Sequence, residues 1–146
     1  MTAFADSSAL VKLYVPEPGY ASVQAVGAAM AVSQLSRVEV PAAFWRKHRL
    51  GELAAGDAGL LTAAFEHDFY GDAAVPPRFG VVAASDHVLA LAARLAASHG
   101  LRAYDAVQLS SAIAARGADP ACVLFICFDD VLRAAAAIEG FTLVPP

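Results

Sequence analysis

The chain has 146 residues, 58% of them hydrophobic and 16% charged, and its 14 acidic against 10 basic side chains leave a net charge of −4. That length suits one ordinary domain with a sizeable core, and the charge excludes a nucleic-acid binder that works through a broad basic face. It leaves room for nucleic acid handled in a small cleft charged by a metal ion. An apolar share above the usual ~45–50% and a charged share below the usual ~25% point to extensive burial, including a subunit or partner interface.

In chain order, Thr2–Ala5 reads as a short buried strand that stops at Asp6, after which Ala9, Leu10 and Leu13 recur at helical spacing, with Ser7 or Ser8 to cap the helix. Asp6 therefore sits at a strand's carboxyl end, the edge where open parallel sheets bind ligands, unless it only answers the helix dipole. Pro16–Gly19 makes a turn, Tyr20–Met30 is expected to be a short helix, and Ala31–Ser33 a short strand. Ser36-Arg37-Val38-Glu39 has the form of a capping box opening a helix that runs to Gly51, with Pro41 early enough to be tolerated. The uncharged stretch Pro18–Ser36 contains Gly19, Ser22, Gln24, Gly27, Ser33 and Gln34 and makes a poor membrane span. Nothing at the start resembles a signal peptide, so a cytoplasmic protein is expected.

Gly56-Asp57 opens the next helix, whose apolar face carries Leu60, Leu61, Ala64, Phe65 and Phe69 and which Gly71 stops. After Pro76-Pro77, Phe79–Ala83 reads as a strand, Ser85 or Asp86 caps a helix bearing Val88, Leu89, Leu91, Ala92 and Leu95, and Gly100 closes it. Asp105 opens a helix over Ala106–Arg116. Cys122–Phe128 is the strongest buried strand and ends at Asp129-Asp130, and a helix to Ile138 and a strand at Thr142–Val144 complete the chain. Strands alternating with helices predict a single α/β domain over 1–146, with a mostly parallel sheet covered on both faces. The odd spacing of Cys122 and Cys127 puts them on opposite faces of a regular strand, as two small buried hydrophobes rather than a disulfide or a shared metal site. Leu10, Leu13, Val23 and Val26 are expected to form a groove or dimer surface.

Four acids fall in matching places. Asp6 and Asp129 end strands, Glu39 and Asp105 lie in the first turns of helices, and in an α/β sheet all four converge on one edge. Each alone is explained as a helix-start acid, but four clustered carboxylates repel, and a fold tolerates that mainly where a hard divalent cation neutralises them. Oxygen donors suit Mg²⁺ or Mn²⁺, whereas His48, His67, His87 and His99 show no metal-ligand spacing and read as surface or structural. With no GxSxG elbow, Walker loop or GxGxxG, the chemistry left is that of a phosphate ester with a metal-activated water.

Phe4-Ala5-Asp6-Ser7-Ser8-Ala9-Leu10-Val11-Lys12-Leu13-Tyr14, Ser36-Arg37-Val38-Glu39-Val40, Leu101-Arg102-Ala103-Tyr104-Asp105-Ala106 and Phe128-Asp129-Asp130-Val131-Leu132 resemble the four acidic motifs of PIN-domain ribonucleases, nearest to the VapC toxins of type II toxin–antitoxin pairs. Order, spacing and length agree over nearly the whole chain. The resemblance implies a three-layer sandwich, Mg²⁺- or Mn²⁺-dependent cleavage of RNA, a homodimer and neutralisation by a cognate antitoxin. It makes Asp6, Glu39, Asp105 and Asp129 the catalytic, metal-holding cage, with Ser8 as a supporting hydroxyl. Where such proteins commonly have Thr or Ser two residues before the fourth acid, this chain has Cys127, which leaves Asp130 as a substitute for Asp129.

Lys12 and Arg37 lie nearest the acids, and Arg46, Lys47, His48 and Arg49 form the densest basic cluster. These are either RNA contacts or a solvated helix end, with Phe44 and Trp45 beside them as core, interface or base-stacking residues. Two other readings use the same residues: a phosphohydrolase or phospho-accepting domain with Asp6 as nucleophile, and a PIN-like interaction module without catalysis.

Overall fold

The computed structural model describes residues 2–146. Its layering is set by β1 (Thr2–Ala5), in which Ala3 and Ala5 pack into one core and Phe4 into the other, all fully buried. Side chains alternate along a strand, so one that is apolar at successive positions must be covered on both faces. With β2 (Ala29–Ser33), β3 (Phe79–Val82), β4 (Cys122–Ile126) and β5 (Thr142–Val144) it forms an all-parallel sheet of order β3-β2-β1-β4-β5.

One face is covered by α1 (Ser7–Val11), α2 (Tyr20–Gln24), α3 (Ser36–Arg49) and α4 (Ala55–Tyr70), which bring Leu10, Val23, Val40, Phe44, Phe65 and Phe69 against Ala3, Ala5, Val32 and Ile126. The other is covered by α5 (Asp86–His99), α6 (Ala103–Ala118) and α7 (Asp130–Ile138), with Val88, Leu95, Leu109 and Leu132 packed around Phe4 and Phe125. Phe4 and Phe125 stack with ring centroids 5.6 Å apart. Each such fully buried side chain contributes about 1.5–3 kcal/mol. The chain is wound from β1 outward to β3, then crosses to β4 and on to β5. Its direction of winding thus reverses between β1 and β4, the place where open parallel sheets leave a crevice at the strands' carboxyl ends.

Several boundaries differ from the sequence reading. The helix expected over Tyr20–Met30 ends at Gln24, because Gly27 adopts a positive φ and Ala29 and Met30 join the ladder opposite Thr2 and Ala3. Leu10 and Val23 are fully buried, and Leu13 and Val26 pack against the same core, so these four side chains serve the interior of the domain rather than the groove or dimer surface expected of them. Cys122 and Cys127 join the same core, not opposite ones, because a register shift opposite Thr2 and Ala3 inserts Val123 as an extra residue and reverses the alternation. Both thiols are free. Among the described residues no helix is long and apolar enough to cross a membrane.

Candidate active site

Asp6 is the residue on which β1 ends and α1 begins. Its backbone N–H still donates to Ile126 O at 3.1 Å, continuing the ladder, while its extended conformation (φ −77°, ψ 174°) makes it the N-cap of α1. The cap is Asp6 itself and not Ser7 or Ser8, the residues the sequence offers for it: Asp6 Oδ1 accepts from Ala9 N at 2.9 Å, and the Ser8 hydroxyl donates to the same oxygen at 2.7 Å. A carboxylate one residue before the helix reaches the free N–H groups better than a hydroxyl already inside the first turn. Ser8 Oγ in turn accepts from Phe128 N at 3.0 Å, tying the loop after β4 to the acid. Asp6 Oδ2 receives the Cys127 thiol at 3.1 Å. Burial pushes the Asp6 pKa up to about 6 against these three donors, and the charge of Asp105 adds to the rise.

Glu39 lies in the first turn of α3, but no capping box forms. Leu35 occupies the N-cap without a side-chain bond, Leu35 N donates instead to Ser33 Oγ, and Ser36 is already helical. The Ser36 hydroxyl is 3.1 Å from that of Ser7, and Glu39 Oε1 accepts from Gln108 Nε2 at 2.8 Å. Burial raises the Glu39 pKa, with the charges of Asp6 and Asp105 acting in the same direction and the Gln108 and Ser7 hydrogen bonds opposing them. Asp105, in the first turn of α6, is raised by burial and then by Asp129, while Arg102, 3.4 Å from its Oδ2, pulls the other way. Asp129 caps α7 by accepting from Leu132 N at 2.9 Å. It lines a groove of about 320 Å³ with Ser8, Lys12, Glu17 and Phe128, whereas Asp130 lies exposed beside His99 in a separate groove between α5 and α7.

The four acids thus come from four elements toward the switch point, near enough that Asp105 raises the proton affinity of Asp6, Asp6 and Asp105 raise that of Glu39, and Asp129 raises that of Asp105. Among the described residues no three Asp, Glu, His or Cys side chains form a ready-made metal cage. The donor chemistry nevertheless fits a hard cation. Asp6, Glu39 and Asp105 all have raised pKa values and offer oxygen only, and among the described residues Arg102 is the one cation paired with any of them. Repelling carboxylates of this kind are the donor chemistry that a hard divalent cation would neutralise.

The basic residues mostly have other partners. Lys12 pairs with Glu17 at 3.0 Å and sits over the Phe128 ring, Lys47 pairs with Glu17 at 2.6 Å, and Arg37 pairs with Glu66 at 2.8 Å and covers Tyr70. Arg46 is exposed. Phe44 is core, and Trp45 is partly exposed, edge-on to His48. None of the histidines donates to or accepts from the acids: His48 bonds Leu53 O, His67 bonds Asp72 and His99 bonds Glu139.

Gln108 escaped the sequence reading. It stands one turn after Asp105 in a run of α6 that is buried from Ala106 to Ala112, and its Nε2 lies 3.0 Å from Ser7 Oγ and 3.2 Å from Ser36 Oγ as well as near Glu39. The signal was available: a long amide side chain in a run otherwise made of small or apolar residues, three residues after a site acid.

The fold, a parallel sheet between two layers of helices, is a PIN-like three-layer α/β sandwich. No protein-family model matches the sequence, and no characterised protein matches it closely in sequence. Among solved structures the chain resembles PAE2754 from Pyrobaculum aerophilum, with a TM-score of 0.64 and 22% identity over 98% of this chain and 83% of that one. It also resembles FitAcB from Neisseria gonorrhoeae, with a TM-score of 0.63 and 16% identity over 97% and 95% of the two chains. At those identities the likeness is one of fold.

Proposed function

We propose that the protein is a metal-dependent endoribonuclease, the toxin of a toxin–antitoxin pair. The observation that carries this reading is the convergence of Asp6, Glu39, Asp105 and Asp129 at the switch between β1 and β4, with raised proton affinity in three of them. The PIN-like fold supports it. Asp6, Glu39, Asp105 and Asp129 would hold Mg²⁺ or Mn²⁺, which when bound neutralises the scissile phosphate and lowers the pKa of the attacking water. Asp6 is aimed by Ser8, Ala9 and Cys127, and Glu39 by Gln108. Both carboxylates are thus fixed before substrate arrives.

The exposed groove beside Asp129, floored by Phe128 and edged by Lys12, has the character to admit a nucleotide next to the acids. Exposed apolar side chains such as Val38, Leu60, Val131 and Ile138 support self-association and an antitoxin contact, which make a homodimer and a cognate antitoxin part of the reading. A phospho-accepting Asp6 would have to exchange the Ser8, Ala9 or Cys127 hydrogen bond for a covalent bond to phosphorus, whereas a carboxylate oxygen can keep such a bond and still face a cation with its other lone pair.

The test is cleavage of end-labelled RNA by the purified protein in Mn²⁺, followed by sequencing of the new ends, with Asp6→Asn and Asp105→Asn alongside. Cleavage that needs Mn²⁺ and is lost in both variants is expected. An aspartyl-phosphate on Asp6, or an absence of Mn²⁺ binding, would replace this reading with the phospho-accepting or the non-catalytic one.

A further inference from the structure

Gln108 is 2% exposed, yet one end of its amide has no partner: Oε1 is buried without a hydrogen bond. A side chain placed for its own stability in the run Ala106–Ala112 would be apolar, or satisfied at both ends. The nitrogen end explains the choice. Nε2 reaches Ser7 of α1 and both Ser36 and Glu39 of α3, so a single amide from α6 bridges the helices that start at two neighbouring strand ends. Its orientation is fixed by charge, because an ionised carboxylate accepts and cannot donate, and turning the amide over would set Oε1 against Glu39. The Ser36 hydroxyl stands 3.1 Å from that of Ser7 and can donate to it, which leaves Ser7 its own proton for Glu39, so neither serine needs the amide as its donor. The Glu39 carboxylate is what the amide specifically serves.

We propose that Gln108 is a positioning residue that holds the Glu39 carboxylate in the orientation needed to receive a divalent cation, acting through its amide nitrogen. The role rests on the metal-dependent reading above. It makes the third helix of the acid site more than a carrier of Asp105: α6 sets the Glu39 side of the site one turn further along. The unpartnered Oε1 is then the cost of presenting the N–H to Glu39 from a buried position.

Mn²⁺ titration calorimetry on the full-length protein tests this with wild type, Gln108→Met, Glu39→Gln and the double variant, together with thermal melts in chelator. Methionine keeps the volume and removes the amide. Outer-shell partners of metal ligands typically change affinity by about 10–100-fold, so Gln108→Met should weaken Mn²⁺ binding about tenfold or more. Its melting point in chelator should move by less than about 3 °C. In the Glu39→Gln background the same substitution should cost less than about twofold, because its target is gone. Affinity of Gln108→Met within twofold of wild type, or a full tenfold further loss in the Glu39→Gln background, overturns the proposal alone. Failure of both Gln108→Met and Gln108→Leu to fold would assign the residue to packing and overturn it too. Wild type that binds no Mn²⁺ removes the functional reading, and this role with it.

Discussion

The thiol of Cys127 donates to Asp6 Oδ2 at 3.1 Å, across 121 residues of sequence, and its sulfur also lies 3.4 Å from Asp129 N. The residue that departs from the usual Thr or Ser is therefore a third donor to Asp6, and burial, followed by the charge of Asp6, keeps its proton in place by pushing the thiol pKa up. A hydroxyl is a stronger donor than a thiol at the same post. Cys127→Ser should match or exceed wild-type Mn²⁺ affinity, while Cys127→Val, which keeps the shape and loses the donor, should weaken it about tenfold. Calorimetry on the two variants checks this, and a valine variant that binds like wild type would show that the thiol only fills space.

Without metal the acid site should make the protein most stable below neutral pH. Asp6 titrates near 6 folded and at 3.8 when unperturbed, so between those values the folded state binds more protons than the unfolded one. Stability from this group therefore rises as pH falls through about 6, by up to ~3 kcal/mol when the change is complete. Glu39 and Asp105, raised as well, act in the same direction. Glu17, Asp72 and Asp119 have lowered pKa values and reverse the trend only at more acid pH. Urea melts in chelator at pH 7, 6 and 5 should show rising midpoints, and midpoints that fall steadily over that range would contradict an uncompensated acid cluster.

The sheet and the acids were legible because each rests on a local pattern. Apolar runs such as Cys122–Phe128 mark strands buried on both faces, and Asp6 and Asp129 stand where those runs end. Boundaries decided by tertiary pairing were not legible: Ala29 and Met30 have helical spacing with Val23 and Val26, yet the ladder to Thr2 and Ala3 captures them. The phase of the two cysteines was hidden by the extra residue Val123, which no periodicity shows. The serine roles failed for a competitive reason. Ser8 and Ser36 each had a backbone partner in prospect, but Ser8 donates to the neighbouring Asp6 carboxylate and accepts from the distant Phe128 N, and Ser36 meets the Gln108 amide of α6.

Gly19 holds the loop that closes over Phe128. It has a φ of +98°, and a Cβ there would stand 2.5 Å from Phe128 Cε1 and 2.9 Å from Lys12 Cδ. Gly19→Ala should therefore destabilise by about 1–3 kcal/mol through backbone strain and displacement of the ring. Because Phe128 immediately precedes Asp129 and receives the Lys12 cation on its face, Mn²⁺ affinity should fall as well. A urea melt reads the first effect and calorimetry the second, and unchanged stability would mean that the loop moves freely away from the ring.

Asp105→Asn should move stability and activity in opposite directions. Asp105 has a pKa raised by burial and by Asp129, it raises those of Asp6 and Glu39, and its one opposing partner is Arg102, whose side chain is 84% exposed. An exposed ion pair of that kind contributes little, about 0–1 kcal/mol, so replacing the carboxylate by an amide of similar volume loses less attraction than it relieves repulsion. In chelator at pH 7 the variant should melt above wild type. Added Mn²⁺ at free concentration c stabilises a folded protein by RT ln(1 + c/Kd), and a site short of one charge binds more weakly, so the metal-induced rise should be smaller in the variant than in wild type. RNA cleavage should be lost. Melts of both proteins in chelator and in roughly millimolar Mn²⁺ make the comparison, and equal metal-induced shifts would place Asp105 outside the metal site.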